Sequence, residues 1–245
     1  MTPPALVLVH GGAHAGNCWS LTIDEICRLA PELTVLAVDL PGRRSKPGDL
    51  ATLTIADWVD SVFDDIENAG LDDVVIAGHS MAGLTVPGVV AKLGKSRVRE
   101  MILAAACVPP EGAAMVDVIS RPLAMIAHRN SKKGPTYEVP SLAADLAFFN
   151  GVPRAQRRAM AALRCPESSR IPVEPMPRSE VTDVPRTWIM TLRDRTHPVK
   201  EQRASIEAIG GVQNLIPLDT CHCLMVSEPK RLAETLVGRC RLYSR

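Results

Sequence analysis

Short apolar runs bounded by turn residues alternate along the chain with longer segments of helical period, a pattern that predicts a mostly parallel sheet with helices on both faces. Ala5 to Val9, Thr34 to Val38, Val74 to Ala77 and Met101 to Ala105 read as the first four strands. Thr54-Ile-Ala-Asp57 is a capping-box variant. It opens a helix carrying Ile55, Trp58, Val59, Val62, Phe63 and Ile66 on one face, and Gly70 marks its end. Pro87 falls in the helical run after the third strand and predicts a kink or a freed carbonyl there. After Ala106 the alternation stops. Short helical pieces at Ser141 to Asn150 and Arg154 to Leu163 precede a basic, proline-rich stretch, Arg170 to Arg178. Ile171, Val173 and Met176 give that stretch apolar groups to bury, so it reads as a packed lid rather than a linker. The βα alternation resumes with Thr187 to Leu192, a helix over about Val199 to Ile209, a strand from Val212 to Leu218 and a final helix from Pro229 to Arg239. The expected organisation is an α/β core of residues 1–108 and 186–245 with a helical lid, 109–185, inserted before the last two core strands.

Composition narrows the class of partner. A length of 245 residues is ordinary for one α/β domain. A net charge of +1 supplies no field for gripping nucleic acid or anionic lipid, so the expected partner is a small molecule, with no nucleic acid and no membrane. No window approaches the roughly 18 apolar residues of a membrane span, and the first residues lack a secretory n-region and h-region. Seven cysteines, an odd number without paired CxxC spacings, point to a reducing, cytoplasmic setting and away from a structural metal. Monomer and homodimer both remain open.

The chemistry concentrates at strand ends. Val74-Val-Ile-Ala-Gly78-His79-Ser80-Met81-Ala82-Gly83 is a buried strand, a turn with small residues either side of a serine, and a helical run. A serine hydroxyl is a weak nucleophile unless a tight turn presents it to a base and to backbone amides that receive an oxyanion. The plain alternative is a turn in which Gly78 and Ser80 only end a strand and cap a helix. After the first strand, His10-Gly11-Gly12-Ala13 lets the backbone approach a ligand. Gly12 or Ala13 is the expected loop donor, beside the amide of Met81. The run lacks the G-x-G-x-x-G spacing of a dinucleotide site. Arg186-Thr-Trp-Ile-Met-Thr-Leu-Arg193-Asp194 ends a strand on a carboxylate, and Ile216-Pro-Leu-Asp219-Thr-Cys-His222 ends one on an imidazole. Ligands and reacting groups in open α/β sheets collect at the carboxyl ends of strands. The chain order Ser80, Asp194, His222 suits a serine nucleophile, an orienting acid and a general base. Asp219 and Glu111 are alternative acids. Cys221-His222-Cys223 is a poor metal site, because adjacent residues do not easily converge on one ion.

The segments His10 to Trp19, Gly78 to Gly83, Arg193 to Gln202 and Leu218 to Val226 resemble those of α/β-hydrolases close to hydroxynitrile lyases, plant methyl-ester esterases and their bacterial esterase relatives. The resemblance covers nearly the whole chain and is weakest in the lid. It implies a serine hydrolase acting on a small carboxylic ester through an acyl-enzyme on Ser80, with no cofactor and no metal. Same-fold alternatives are a lyase or a cofactor-free oxygenase using His222 and Asp194 as the base, or a ligand receptor of low turnover. Cys223 stands where the lyases carry lysine, and Gly11-Gly12 where they carry threonine; both departures favour ester hydrolysis. His14, Met115, Met125, His128, Phe148 and Phe149 are the candidate substrate-binding residues.

Overall fold

The computed structural model describes residues 2–176 and 183–244. Along the chain run β1 (Ala5–Val9), α1 (Ser20–Leu29), β2 (Val35–Val38), α2 (Ile55–Asn68), β3 (Val74–His79), α3 (Val86–Leu93) and β4 (Val98–Ala104). A segment without that alternation follows: α4 (Arg121–Lys133), β5 (Thr136–Tyr137), α5 (Ser141–Ala147), α6 (Arg154–Ala161) and β6 (Glu167–Ser168). The regular alternation returns with β7 (Arg186–Thr191), α7 (Val199–Ala208), β8 (Asn214–Leu218), α8 (Leu224–Ser227) and α9 (Pro229–Arg241).

Six strands form one sheet in the order β2-β1-β3-β4-β7-β8, and every pairing in it is parallel. β5 and β6 pair antiparallel in a separate ribbon. Alternation along each strand feeds two cores. Val7 and Val9 of β1 join Trp58, Val62 and Ile66 of α2 and Val89 and Val90 of α3 on one face. Leu6 and Leu8 point the other way, into Ile26 of α1 and Leu232 and Leu236 of α9. All of these side chains are removed from water, which is the main favourable contribution to such a fold.

Local signals explain where the elements begin. The Thr54 hydroxyl accepts from the Asp57 amide at 3.2 Å, and Asp57 Oδ2 accepts from the Thr54 amide at 2.8 Å, so the expected capping box opens α2. α1 was not evident from the sequence; no side chain caps its first turn. Pro87 produces no kink within a helix. Ser80–Leu84 is a 3₁₀ turn, and α3 starts at Val86 with Pro87 in its first turn, where a missing N–H costs nothing. β8 begins at Asn214 rather than Val212, after Gly210 and Gly211, both in the left-handed region. Ile171 and Met176 are buried in the first core, so the described part of the proline-rich stretch packs; Pro177 and Arg178 lie outside the described residues. Among the described residues no helix is long and apolar enough to cross a membrane.

Because the sheet order reverses direction between β1 and β3, the loops leaving their carboxyl ends face each other across a crevice. That crevice positions the site.

Candidate active site

Ser80 follows β3 directly and sits at φ +56°, a left-handed conformation uncommon for a side-chain-bearing residue. The turn closes so tightly that a Cβ on Gly78 would lie 2.6 Å from Val86 Cγ2, and one on Gly83 only 2.3 Å from the Cys107 carbonyl oxygen. Gly83, one place beyond the small-x-Ser-x-small turn, is therefore the more confined of the two. Gly11 is required for a related reason: its Cβ would stand 2.8 Å from Ser80 Cβ, so the loop after β1 can lie against the serine only without a side chain there.

Three side chains distant in sequence meet at this point. His222 Nε2 lies 2.8 Å from Ser80 Oγ, and His222 Nδ1 lies 2.7 Å from Asp194 Oδ2. His222 follows β8 and is 3% exposed; Asp194 follows β7. The Asp194 carboxylate accepts further hydrogen bonds from Thr191 Oγ1 and from the amides of Thr196 and His197, each 2.8 Å. Burial would raise its pKa, but the nearby imidazole of His222 and this set of donors outweigh it and hold the carboxyl below the usual range. Gln202 ties the turn together, donating to the carbonyls of Thr191 (3.0 Å) and His197 (2.8 Å). The alternative acids are elsewhere: Asp219 pairs with Arg193 at the surface, and Glu111 is exposed.

His79, which the sequence left as a spacer, is buried beside the site with its ring 4.7 Å from that of His222. Its Nε2 lies 2.9 Å from the His222 carbonyl oxygen. A carbonyl only accepts, so His79 donates there and anchors the backbone of His222. Only the folded ring orientation exposes that role.

The amides around Ser80 divide unequally. Met81 lies in the first turn of the 3₁₀ segment, where amides have no intrahelical partner. Gly12 lines a cavity together with Ser80, Met81 and His222. Ala13, the other expected donor, is corrected: its amide already donates to Glu167 Oε2 at 2.8 Å, so it is engaged away from Ser80. That bond comes from a residue 154 positions away and has no sequence signature.

A cavity of about 80 Å³ opens at Ser80 and His222. Of the expected substrate-binding residues, His14, Met115 and Phe148 line it; Tyr137, Val139 and Thr196 line it unforeseen. Met125 and His128 are corrected. α4 buries none of its residues, and both side chains are exposed on it rather than turned to the cavity. Phe149 is buried in the second core, against the edge of His14, one layer behind the wall. A larger groove of about 630 Å³ lies apart, around Asn17, Asp39, Arg44 and Lys46, and contains neither Ser80 nor His222. The hydrogen-bonded groups, not the size of the hollow, locate the site.

Three further histidines are buried and held neutral. Burial is the largest cause in each: it lowers His10 to about 3 and His14 to about 4, and takes His79 well below the ordinary value. An unfolded chain binds those protons near pH 6.5, so the stability these rings contribute is complete above about pH 6.5 and is lost progressively as the pH falls toward the folded values. Guanidinium midpoints are expected to decline steadily between about pH 7 and pH 4.5. A flat profile over that interval would show that the rings are not buried as neutral groups.

A family model described as the alpha/beta hydrolase family matches residues 6–235. A carbendazim hydrolyzing esterase from Nocardioides sp. (strain SG-4G) is 28% identical over 118 residues, 48% of this chain and 48% of that protein. The chain spans about half the length, or less, of the curated relatives it matches. Among solved structures, an extracellular alpha/beta-hydrolase from a Paenibacillus species superposes with a TM-score of 0.85 at 20% identity, covering 97% of this chain and 99% of that one. A methylesterase from Arabidopsis superposes with a TM-score of 0.77 at 18% identity, covering 98% and 99%. At such identities the structural likeness speaks for the fold.

Proposed function

Since the chain belongs to the alpha/beta hydrolase family, we propose that it is a serine hydrolase that cleaves a small carboxylic ester through an acyl-enzyme on Ser80. The observation that carries this reading is the continuous line from Ser80 Oγ through the His222 imidazole to the Asp194 carboxylate, with bonds of 2.8 and 2.7 Å. The esterase among the relatives and the methylesterase among the structural neighbours support the choice of an ester.

The ester carbonyl oxygen lies on the amides of Gly12 and Met81, and Ser80 Oγ attacks the carbonyl carbon while His222 Nε2 takes the hydroxyl proton. Asp194 keeps the other imidazole proton on Nδ1 and stabilises the imidazolium that forms. The oxyanion collapses, the C–O bond to the leaving group breaks, and His222 returns its proton to the departing alkoxide. A water molecule, deprotonated by His222, then attacks the acyl carbon; the second oxyanion collapses, the bond to Ser80 Oγ breaks, and His222 returns its proton to that oxygen, releasing the acid and free Ser80. Each amide facing the oxyanion contributes about 2.7–4 kcal/mol to transition-state stabilisation in such sites.

Residues 109–185 act as the lid over this site in the same reading, since Met115, Tyr137, Val139 and Phe148 from that segment wall the cavity. All seven cysteines are free, and five of them are buried, which suits a reducing compartment such as the cytoplasm.

Acid-quenched mixtures with a nitrophenyl ester test the covalent step. Mass spectrometry is expected to find the acyl mass on the peptide carrying Ser80, together with a burst of nitrophenol. Turnover without adduct or burst would instead favour a base acting directly on water or on a substrate proton.

A further inference from the structure

The loop that offers Gly12 to the cavity is pinned plane by plane. The carbonyl of Gly11 accepts from His10 Nδ1 at 2.8 Å, which orients the peptide carrying the Gly12 N–H. The next peptide is held at both ends: the Gly12 carbonyl accepts from His14 Nδ1 at 2.8 Å, and the Ala13 amide donates to Glu167 Oε2 at 2.8 Å. The Ala13 carbonyl then accepts from the Cys165 amide at 3.0 Å. Ala13 itself sits at φ +56°, a conformation that an alanine keeps only where its surroundings over-determine it.

Glu167 is itself held rigidly. Its side chain and that of Arg43 are completely buried, with Arg43 Nη2 2.5 Å from Glu167 Oε1. Oε1 also accepts from the Ser168 amide at 2.7 Å. Arg43 Nη1 donates to the Pro166 carbonyl at 3.0 Å, and its guanidinium lies 5.7 Å from the centre of the Trp58 ring. The carboxylate reaches so close to the loop that a Cβ on Gly12 would lie 3.1 Å from Oε2.

We propose that Glu167 is a positioning residue for the reaction at Ser80: by holding the Ala13 amide it fixes the peptide after Gly12, which together with His10 on the peptide before it sets the backbone turn that aims the Gly12 N–H, and Arg43 cancels its charge. A carboxylate placed beside a developing oxyanion would otherwise oppose it, which explains why an ion pair stands where a lone acid would be harmful. The segment between β4 and β7 therefore does more than wall the cavity, because seating β6 against the loop after β1 sets the donor. This inference rests on the hydrolase reading above.

Removing one partner of a buried pair alone leaves an orphaned charge, so the decisive comparison is between two uncharged pairs. Arg43→Met/Glu167→Gln keeps an acceptor for the Ala13 amide; Arg43→Met/Glu167→Leu does not. With nitrophenyl esters, the leucine pair is expected to lose about 10- to 100-fold in kcat with KM within about threefold, while the glutamine pair retains most of the wild-type kcat. Inhibition by a trifluoromethyl ketone, which places an oxyanion on the same amides, is expected to weaken in step with kcat/KM. Arg43→Met/Glu167→Met, which matches the length of the glutamate but also lacks an oxygen acceptor, gives the same reading should the leucine pair not fold: kcat and ketone affinity are expected to fall together, and wild-type values of both would overturn the role. Equal kcat in the two pairs, or an equal fall in both, overturns the positioning role. A wild-type protein inert towards every ester overturns the hydrolase reading and this one with it, whereas an active wild type with an unimpaired leucine pair overturns this one alone.

Discussion

Ser80→Ala is expected to lower kcat/KM for a simple nitrophenyl ester by about 10⁴-fold or more, with no comparable loss of stability. The Ser80 hydroxyl is the group His222 Nε2 meets, at 2.8 Å, and the turn that presents it is closed by Gly78 and Gly83 whatever residue stands between them. Alanine tolerates the same φ of +56° about as poorly as serine does, so the elbow should keep its shape. Binding should survive too, because the walls from His14, Met115 and Phe148 do not change. The residual rate would come from the Gly12 and Met81 amides acting on attack by water. His222→Ala should cost about as much, and the double variant little more than either, since nucleophile and base act as one unit. Steady-state kinetics on variants checked by denaturation decides the matter, and a Ser80→Ala protein within tenfold of wild type would end the serine mechanism.

Asp194→Asn is expected to be nearly as damaging, about 10⁴-fold in kcat, although it changes the side chain by a single group. Asp194 Oδ1 accepts two amides, from Thr196 and His197, and Oδ2 accepts from Thr191 Oγ1 and His222 Nδ1. Two fixed amide donors draw the asparagine oxygen to the Oδ1 position, which turns its NH₂ toward His222. The imidazole must then accept at Nδ1 and carry its proton on Nε2, facing Ser80 Oγ, where it cannot act as a base. KM should change little, because nothing touching the ester has moved. The proton resonance of His222 Nδ1–H, expected at low field in the wild type, should vanish in the variant. Undiminished kcat would remove Asp194 from the mechanism and return attention to how His222 is oriented by His79.

Much of this architecture could be read from the chain. The apolar runs of β1 and the first four residues of β3 are continuous because those strands are covered on both faces, and that burial is a property of composition as much as of contact. Ser80, Asp194 and His222 each stand just past a strand, and the parallel sheet carries all such ends to one rim. Between β4 and β7 the chain carries fewer periodic signals. α4 runs for 13 residues and buries none of them, so no core-facing side orients it, and Met125 and His128, expected at the cavity, stand exposed on it instead. Tyr137 and Val139 reach the cavity from around a two-residue strand that no periodicity could disclose.

By itself, then, the amino-acid sequence determined most of the alternation of strands and helices, the chain order of Ser80, Asp194 and His222 and the strand ends on which they stand, because period and chain order are local properties. Only the tertiary structure decided that the Ala13 amide is taken by Glu167 while Gly12 lines the cavity at Ser80, that His79 anchors His222, and that Glu167 and Arg43 close on each other behind the loop. Those outcomes depend on hydrogen bonds between segments more than a hundred residues apart. A buried donor takes whichever acceptor packing brings within about 3 Å, and no spacing along the polymer encodes that choice.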